Sequence, residues 1–484
     1  MSLGARLRQI AGLVRLRAFD TATPEGRSQE RHRRAALTSI SGLGNKLLSG
    51  IALLISIRLT LAYLGNERYA VWVVISSTLA MLTWSDLGLG NGLMNTIAEH
   101  HGKGDRAAAR QSVASALFML TCVAALILAV AALIYPHVDW VRFLKLSQTR
   151  NTAEYARTFV VCLLCFTAGF PLGIVSRIHS GLQEGYINNF YSSLGSLGGL
   201  LGILIVIHLK LGLAWLALFM AGAPMVAAFI NAVHLFVFSH PWLLPRPSDI
   251  KAGVSIMLLR AGVLFLVLQG AQAIGFQSDN IVIARVMGTR FVPQYSLPSR
   301  LFQFLPVLFG IALSTLWPAY REAVARGDVS WAARTFYRSV LTSIGVNLPV
   351  VAALLLLGPY LLRLWVGNAV HFSYALLIAL SIQVLVNSVY NPISFFLNGM
   401  GVLAPQAAFT AIMAVVNITL SILLTRRFGI SGVVWASSIA MLICSVGPGM
   451  YFARRAIERS ESGAGLLRPA VPTDNLIAED KTPV

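Results

Sequence analysis

Long apolar stretches, separated by short polar ones, run along the chain from residue 40 to about residue 455. A helix needs about 20 consecutive, mostly apolar residues to cross the hydrocarbon core of a bilayer. The pattern therefore predicts an all-α integral membrane protein with about twelve transmembrane helices. The predicted spans are 40–64, 70–92, 112–135, 156–178, 190–209, 213–238, 254–276, 296–317, 336–358, 373–397, 406–425 and 430–452.

A sequence repeat divides these spans into two sets of six. Three residues of the first half recur in the second half at one separation, 223 residues (288 − 65, 322 − 99 and 328 − 105). The matches are Gly65 with Gly288, Glu99 with Glu322, and Asp105 with Asp328. Internal repeats in a very apolar chain are typical of secondary transporters, which move a substrate between two lobes.

Two lobes and three polar segments are expected from this pattern. They are a cytoplasmic basic tail at 1–39, an N-terminal six-helix lobe at 40–239, a cytoplasmic linker at 240–253, a C-terminal six-helix lobe at 254–455 and a cytoplasmic disordered tail at 456–484. Apolar residues at helical spacing in the first 17 residues leave two alternatives open. They form an interfacial helix on anionic headgroups, or belong to a disordered tail that only sets topology.

Composition and charge agree with a membrane protein. The chain is 56% hydrophobic and 12% charged, whereas soluble domains carry about 25% charged residues. The net charge of +19 comes from bases in the polar segments, which is how a multispanning protein records its orientation, so nucleic acid is not an expected partner. The distribution of these bases predicts a multi-pass protein of the cytoplasmic (inner) membrane with both termini cytoplasmic.

The sequence predicts no cofactor and no metal site. All four cysteines lie in apolar stretches, and the Cys162-Leu163-Leu164-Cys165 pair has no histidine nearby, so packing is the favoured role for these thiols. The chain has no phosphate-binding Gly-x-x-x-x-Gly-Lys-Ser/Thr motif, so it is not expected to hydrolyse ATP itself. Energy would come from an ion gradient, from the cargo gradient or from a partner.

The segment from Leu64 to Arg110 carries a family resemblance. Its residues are Leu64-Gly65, Tyr69, Trp72, Asp86-Leu87-Gly88-Leu89-Gly90-Asn91, Gly104-Asp105 and Arg110. They resemble the polysaccharide (O-antigen and exopolysaccharide) flippase family, the Wzx-like branch of the MATE-type transporter superfamily. The resemblance implies two six-helix bundles around a central cavity that opens alternately to each side. It also implies a polyprenyl-diphosphate-linked oligosaccharide as cargo, moved from the cytoplasmic to the outer leaflet, with polysaccharide assembly proteins as partners.

Four basic residues in or near the predicted spans are candidates for binding such an anionic cargo. They are Lys46, Arg58, Arg260 and Arg300. Ionisable residues inside a membrane usually face a cavity or a partner, and arginine forms paired hydrogen bonds to phosphate oxygens. The alternative is that these side chains extend to the lipid headgroups without contacting cargo.

Two acidic residues are candidates for coupling or for ion pairs. Asp279 follows a polar run in the seventh predicted span, where it could pair with an arginine or bind a coupling ion, H⁺ or Na⁺. Asp86 lies near the cytoplasmic end of the second span, where a packing or helix-end role is the alternative.

Other functions are distinguishable from a flippase. An ion-coupled MATE-type exporter of cationic drugs or metabolites should carry several acids among its spans, but here bases outnumber acids, 38 to 19. A membrane glycan polymerase or ligase would need a large outer loop with catalytic residues. The longest predicted outer loop, 136–155, contains only Asp139 and Glu154 as acids. A lipid II flippase would have about fourteen spans by family resemblance.

Overall fold

A computed structural model describes residue 19 and residues 23–81, 88–137, 152–288, 291–366 and 373–462. All regular structure in these segments is helical. The first half contains α1 (Pro24–Met81), α2 (Leu89–Lys103), α3 (Arg106–Ile134), α4 (Thr152–Gly181), α5 (Gly185–His208) and α6 (Leu213–Val233). The second half contains α7 (Ala252–Val286), α8 (Val292–Ser314), α9 (Leu316–Ala325), α10 (Val329–Val366), α11 (Tyr374–Met400), α12 (Leu403–Phe428), α13 (Ile430–Met441) and α14 (Gly447–Glu461).

Ten helices of the described segments are long and apolar enough to cross a membrane. An eleventh span is obtained if the bent pair Gln294–Phe304 and Phe309–Ala325, which turns by 52°, counts as one crossing. The remaining predicted span, 70–92, includes residues 82–87, which lie outside the described residues. The all-α membrane fold is therefore confirmed.

The first helix begins well before its predicted span. It starts at Pro24 and includes the second half of the segment expected as a tail, while residues 1–18 lie outside the described residues. The helix is interrupted at Gly65, whose φ of 70° and ψ of 175° are not helical. Glycine adopts this backbone conformation because it has no Cβ.

Contacts between Cα atoms divide the chain into two units, Met1–Gly262 and Val263–Val484. The first unit has an apolar core built from α2, α3 and α4, which also includes Leu243 and Leu258. The second unit has two cores, one around Tyr320 and Phe396 and the other around Phe302 and Leu380. Each unit thus buries apolar residues of its own helices.

The segment after α6 is bound along its length to other parts of the first unit. A π-helical turn, His234–Ser239, extends α6, and His240 Nε2 then lies 3.0 Å from Glu184 Oε2. The Arg106 guanidinium stands 5.5 Å from the ring centroid of Trp242. Further along, Arg110 Nε lies 2.8 Å from Asp249 Oδ2, so an ion pair, the His240–Glu184 contact and a cation–π contact hold this polar segment against the helices.

The backbone repeats the same turns in both halves. Nine described residues have positive φ, and eight of them form four pairs in chain order. The pairs are Gly65 and Gly288, Gly104 and Gly327, Gln183 and Gly401, and Lys210 and Gly429. Their separations are 223, 223, 218 (401 − 183) and 219 (429 − 210) residues. The sequence repeat therefore corresponds to a structural repeat, with glycine replaced at two turns of the first half.

Candidate functional site

A carboxylate is buried among hydroxyl and amide groups of the second unit. Asp279 on α7 has no exposed surface. Tyr295 Oη on α8 donates to its Oδ2 over 2.9 Å, and Ser437 Oγ on α13 lies 3.2 Å from the same oxygen. Ser437 Oγ also lies 3.0 Å from Asn417 Oδ1 on α12, to which Ser421 donates over 3.2 Å. The cluster joins four helices through side-chain oxygens.

Backbone geometry of the α12–α13 hairpin brings Asn417 opposite Ser437. Gly429 turns the chain with a φ of 63° and a ψ of −146°, a conformation that essentially only glycine adopts. Gly432 then allows the two helices to touch, because a Cβ there would lie 2.3 Å from the carbonyl oxygen of Leu424. The acidic cluster thus depends on two glycines at the base of a tight hairpin.

The cluster is suited to a proton or a hard monovalent cation. Its ligands are oxygens, which such cations prefer over nitrogen and sulfur. A buried carboxylate is costly unless its charge is compensated, and no basic side chain lies within ion-pair distance of Asp279 among the described residues. The described residues also contain no group of three or more His, Cys, Asp and Glu side chains that could hold a metal ion.

The four predicted basic residues lie at the protein surface. Lys46 and Arg58 are exposed on α1, twelve positions or about 18 Å apart along the helix, since each residue adds about 1.5 Å. Arg260 is exposed on α7 and Arg300 on α8. None of them contributes to the Asp279 cluster. The predicted candidate Asp86 lies outside the described residues.

One intramembrane arginine was missed by the sequence reasoning. Arg177 lies near the end of α4 and is half-buried. Its Nη1 donates to Asn91 Oδ1 on α2 over 2.7 Å, and its side chain occupies the space beside Gly90. The signal was present in two places, as an arginine within a predicted span and as the Leu89-Gly90-Asn91 portion of the family motif.

A second polar cluster lies outside the spans, at the turn between α4 and α5. Glu184 Oε2 lies 3.0 Å from His240 Nε2 and 3.7 Å from His179 Nδ1, and Arg34 Nη1 lies 3.9 Å from Oε1. Burial alone would raise the pKa of Glu184, but its contacts with His179 and His240 and the charge of Arg34 together hold the pKa below its usual range. The cluster connects α1, the α4–α5 turn and the segment after α6.

Comparison with known proteins finds similarity to transporters. No family model matches the sequence. A protein named "Putative O-antigen export protein" from Yersinia pseudotuberculosis is 22% identical over 84% of this chain and 93% of its own length. A "Putative O-antigen transporter" from Salmonella typhi is 21% identical over 64% of this chain and 69% of its own length.

Solved structures show the same fold. A MATE transporter in complex with MaD3S superposes with a TM-score of 0.73 at 16% identity, covering 89% of this chain and 97% of the other. A MOP superfamily transporter from Pyrococcus furiosus gives a TM-score of 0.71, also at 16% identity and 89% coverage of this chain. The molecule is therefore an all-α membrane protein with the MATE fold. Its sequence relatives are O-antigen transporters, in agreement with the resemblance carried by residues 64–110, so the chain is similar to Wzx-like proteins of the MATE-type superfamily.

Proposed function

We propose that this protein flips a lipid-diphosphate-linked oligosaccharide from the cytoplasmic to the outer leaflet of the cytoplasmic membrane, by alternating access, during polysaccharide biosynthesis. The observation that carries the proposal is the similarity to O-antigen transporters along most of the chain. The 38 basic against 19 acidic residues agree with an anionic cargo. Both termini would be cytoplasmic, and polysaccharide assembly proteins would supply and receive the cargo.

The four predicted cations are each a proposed contact for the diphosphate. Lys46 and Arg58 would act from α1, Arg260 from α7 and Arg300 from α8. Each is exposed, so an anionic group can reach it. Arginine is the better of the two residue types for this task, because its planar guanidinium can bind two phosphate oxygens at once.

Asp279 is the proposed coupling residue. Its carboxylate and the oxygens of Tyr295, Ser437 and Asn417 form a set that can hold a proton or Na⁺. Binding of either ion neutralises a charge that is costly to bury. Binding of H⁺ or Na⁺ would therefore change the stability of the contact between α7 and α13. An ion can shift a transporter between two states only if it stabilises one of them more than the other.

Reconstitution into liposomes tests the flippase proposal. Fluorescent polyprenyl-diphosphate oligosaccharide should exchange between leaflets only when the protein is present, and Arg58→Ala should slow this exchange. Asp279→Asn should remove the dependence on an imposed H⁺ or Na⁺ gradient. Exchange unaffected by Arg58→Ala would remove Arg58 from the cargo site while keeping the flippase.

A second candidate function is ion-coupled export of a drug or metabolite. The oxygen cluster at Asp279 favours it, because an ion site serves an exporter equally well, and the fold is that of MATE transporters. Absence of lipid exchange together with ion-driven efflux of a cationic dye from the same liposomes would favour this function over the flippase.

A further inference from the structure

Four arginines share one end of the second unit. They are Arg285 on α7, Arg363 on α10, and Arg426 and Arg427 on α12. Each is exposed and lies in the last turn of its helix. One apolar core contains Val286 at the end of α7, Leu362 near the end of α10 and Ile430 just after α12, so the three helix ends are neighbours. The four arginines therefore belong to one surface, the arginine end of the second unit.

No carboxylate accompanies this surface. The sequence has no Asp or Glu from 280 to 321 or from 329 to 457. None of the four arginines forms an ion pair with another described residue. At the other end of the same unit, acids accompany the bases: Arg326 Nε lies 2.6 Å from Glu322 Oε1, and the last turns of α14 contain Glu458 and Glu461. The positive charge of the arginine end is thus not compensated by neighbouring acids.

Two general rules do not account for these arginines. A cation in the last turn of a helix interacts favourably with the helix dipole, but α3, α8 and α11 have no basic residue there, whereas α12 has two. Lys and Arg are also normally concentrated on the cytoplasmic side of a membrane protein, and with both termini cytoplasmic, as proposed above, the arginine end faces outward. A specific anion explains the set better than helix stability or topology.

The depth of the surface indicates which anion this is. Tyr360 and Tyr374 are exposed near the same helix ends, and tyrosine is enriched where the membrane meets water. Phosphate is the anion of that layer, and arginine binds two of its oxygens at once. A phospholipid phosphodiester carries one negative charge, whereas the diphosphate of a prenyl-linked sugar carries two on neighbouring groups. The diphosphate can therefore use several arginines of one surface together.

We infer that the arginine end of the second unit is a diphosphate-binding surface on the outer side of the membrane, where the lipid-linked cargo binds after it has crossed. This inference rests on the proposed function for its ligand and for the orientation of the chain. It adds an exit site to the four cations already proposed as diphosphate contacts. The cargo would leave the transport path by moving its diphosphate onto this surface.

Site-resolved chemical modification tests the inference. The full-length protein in phosphatidylcholine nanodiscs is treated with phenylglyoxal, which reacts with exposed guanidinium groups, and mass spectrometry measures the rate at each arginine. Geranylgeranyl diphosphate at about ten times its dissociation constant should slow modification of Arg363, Arg426 and Arg427 about tenfold, because only the ligand-free fraction reacts. Arg454 and Arg455, an adjacent exposed pair on α14, should react at unchanged rates.

Leaflet exchange of the fluorescent cargo tests the role of the surface in transport. Arg426→Gln combined with Arg427→Gln should slow exchange about tenfold or more, because two charge-assisted contacts to phosphate are lost. Replacement of both residues by Lys should slow exchange less, since the charge remains. The matched control, Arg454→Gln with Arg455→Gln, removes the same charge from the other end of the unit and should leave exchange unchanged. Melting temperatures check that every variant is folded.

Three outcomes would overturn the inference and keep the proposed function. Equal protection of Arg454 and Arg455 would mean a general attraction of the anion to basic residues. The same protection by phosphatidylglycerol, with none added by the prenyl diphosphate, would make the arginine end a site for ordinary headgroups. Exchange at the wild-type rate in the double Gln variant would remove this surface from the transport path.

A different result would contradict the proposed function itself. Wild-type protein that exchanges no cargo between leaflets would remove the flippase activity, and with it the ligand assigned to the arginine end.

Discussion

Lys210 takes a positive φ of 50° at a turn where the second half of the molecule has Gly429. Its side chain is exposed, so it gains little from packing while its backbone is in a region that costs a non-glycine residue about 1–2 kcal/mol. We therefore expect Lys210→Gly to raise the free energy of unfolding by up to about 1 kcal/mol, because the greater entropy of glycine in the unfolded chain offsets part of the gain. Thermal unfolding in detergent measures this.

The reciprocal change has the opposite sign. Gly429→Ala should lower the stability by about 1–3 kcal/mol, because φ 63° with ψ −146° is almost inaccessible to alanine. Equal melting temperatures for Lys210→Gly and the wild type would mean that the turn at Lys210 is unstrained.

Ser437 and Ser438 form a matched pair for testing the acidic cluster. Both are buried, but Ser437 Oγ lies against Asp279 and Asn417, whereas Ser438 Oγ donates to the carbonyl of Val434 in its own helix. Ser437→Ala should lower stability by about 1–3 kcal/mol, because it removes a partner of a buried carboxylate, and Ser438→Ala by less than about 1 kcal/mol. Comparable losses in the two variants would argue against a special role for Ser437.

Sequence reasoning found Asp279 but could not find its partners. An acid inside an apolar stretch is conspicuous because of its desolvation cost. Tyr295, Ser437 and Asn417 are ordinary residues in three other helices, and only the packing of those helices makes them neighbours. Arg177 was missed for a related reason, since its contact with Asn91 spans 86 residues of chain (177 − 91).

At the scale of helices, the glycines of α5 are not equivalent. A Cβ on Gly202 would lie 2.5 Å from Phe219 Cβ, and one on Gly195 would lie 2.9 Å from Pro224 Cα, whereas one on Gly198 would stay 3.4 Å from Ala223 Cβ. Gly202→Ala should therefore destabilise the α5–α6 pair by about 1–3 kcal/mol through overpacking, and Gly198→Ala should be close to neutral. Melting temperatures of the two variants check this, and a larger loss for Gly198→Ala would contradict the close packing at Gly202.

The α4–α5 turn should respond to acid. Because the pKa of Glu184 is lowered in the folded protein, its contribution to stability is complete above the unfolded pKa of about 4.3 and is lost as the pH falls below that value. We expect the melting temperature to drop between pH 5 and pH 3, and Glu184→Gln to be less stable at pH 6 but less sensitive to acid.

The control for this experiment is Glu458→Gln, which removes an exposed carboxylate at the end of α14. It should leave the acid response of the wild type in place. An acid response in Glu184→Gln as large as that of the wild type would assign the effect to other carboxylates.

Helix number was easier to predict than helix ends. The apolar stretches identify the spans because the hydrocarbon core sets a minimum length. The sequence did not show that α1 begins at Pro24, because residues 24–39 are polar and their helix is held by contacts such as the bond from Arg34 Nη1 to the carbonyl of Leu182, 2.8 Å long. Nor did it show the 52° bend within α8, between Phe304 and Phe309.

At the scale of the whole molecule, the sequence repeat has a counterpart in the backbone. Matches at one separation predicted two halves, and both halves share their positive-φ turns. Two of those turns have no glycine in the first half, so sequence comparison alone could not align them. These turns keep a positive φ in both halves although their residues differ, because turn geometry fixes how successive helices pack.

The aligned turns pair positions of the first half with positions of the second half, and some of these paired positions differ in charge. At the separation of 223 residues, the buried Asp279 corresponds to the buried Ser56, and the exposed Arg58 corresponds to the exposed Ile281. The first half has a cation where the second has an aliphatic residue, and the second has an acid where the first has a hydroxyl. At these two positions, equivalent backbone therefore presents different charges, so a cargo anion and a coupling ion would each find a counterpart in a different half.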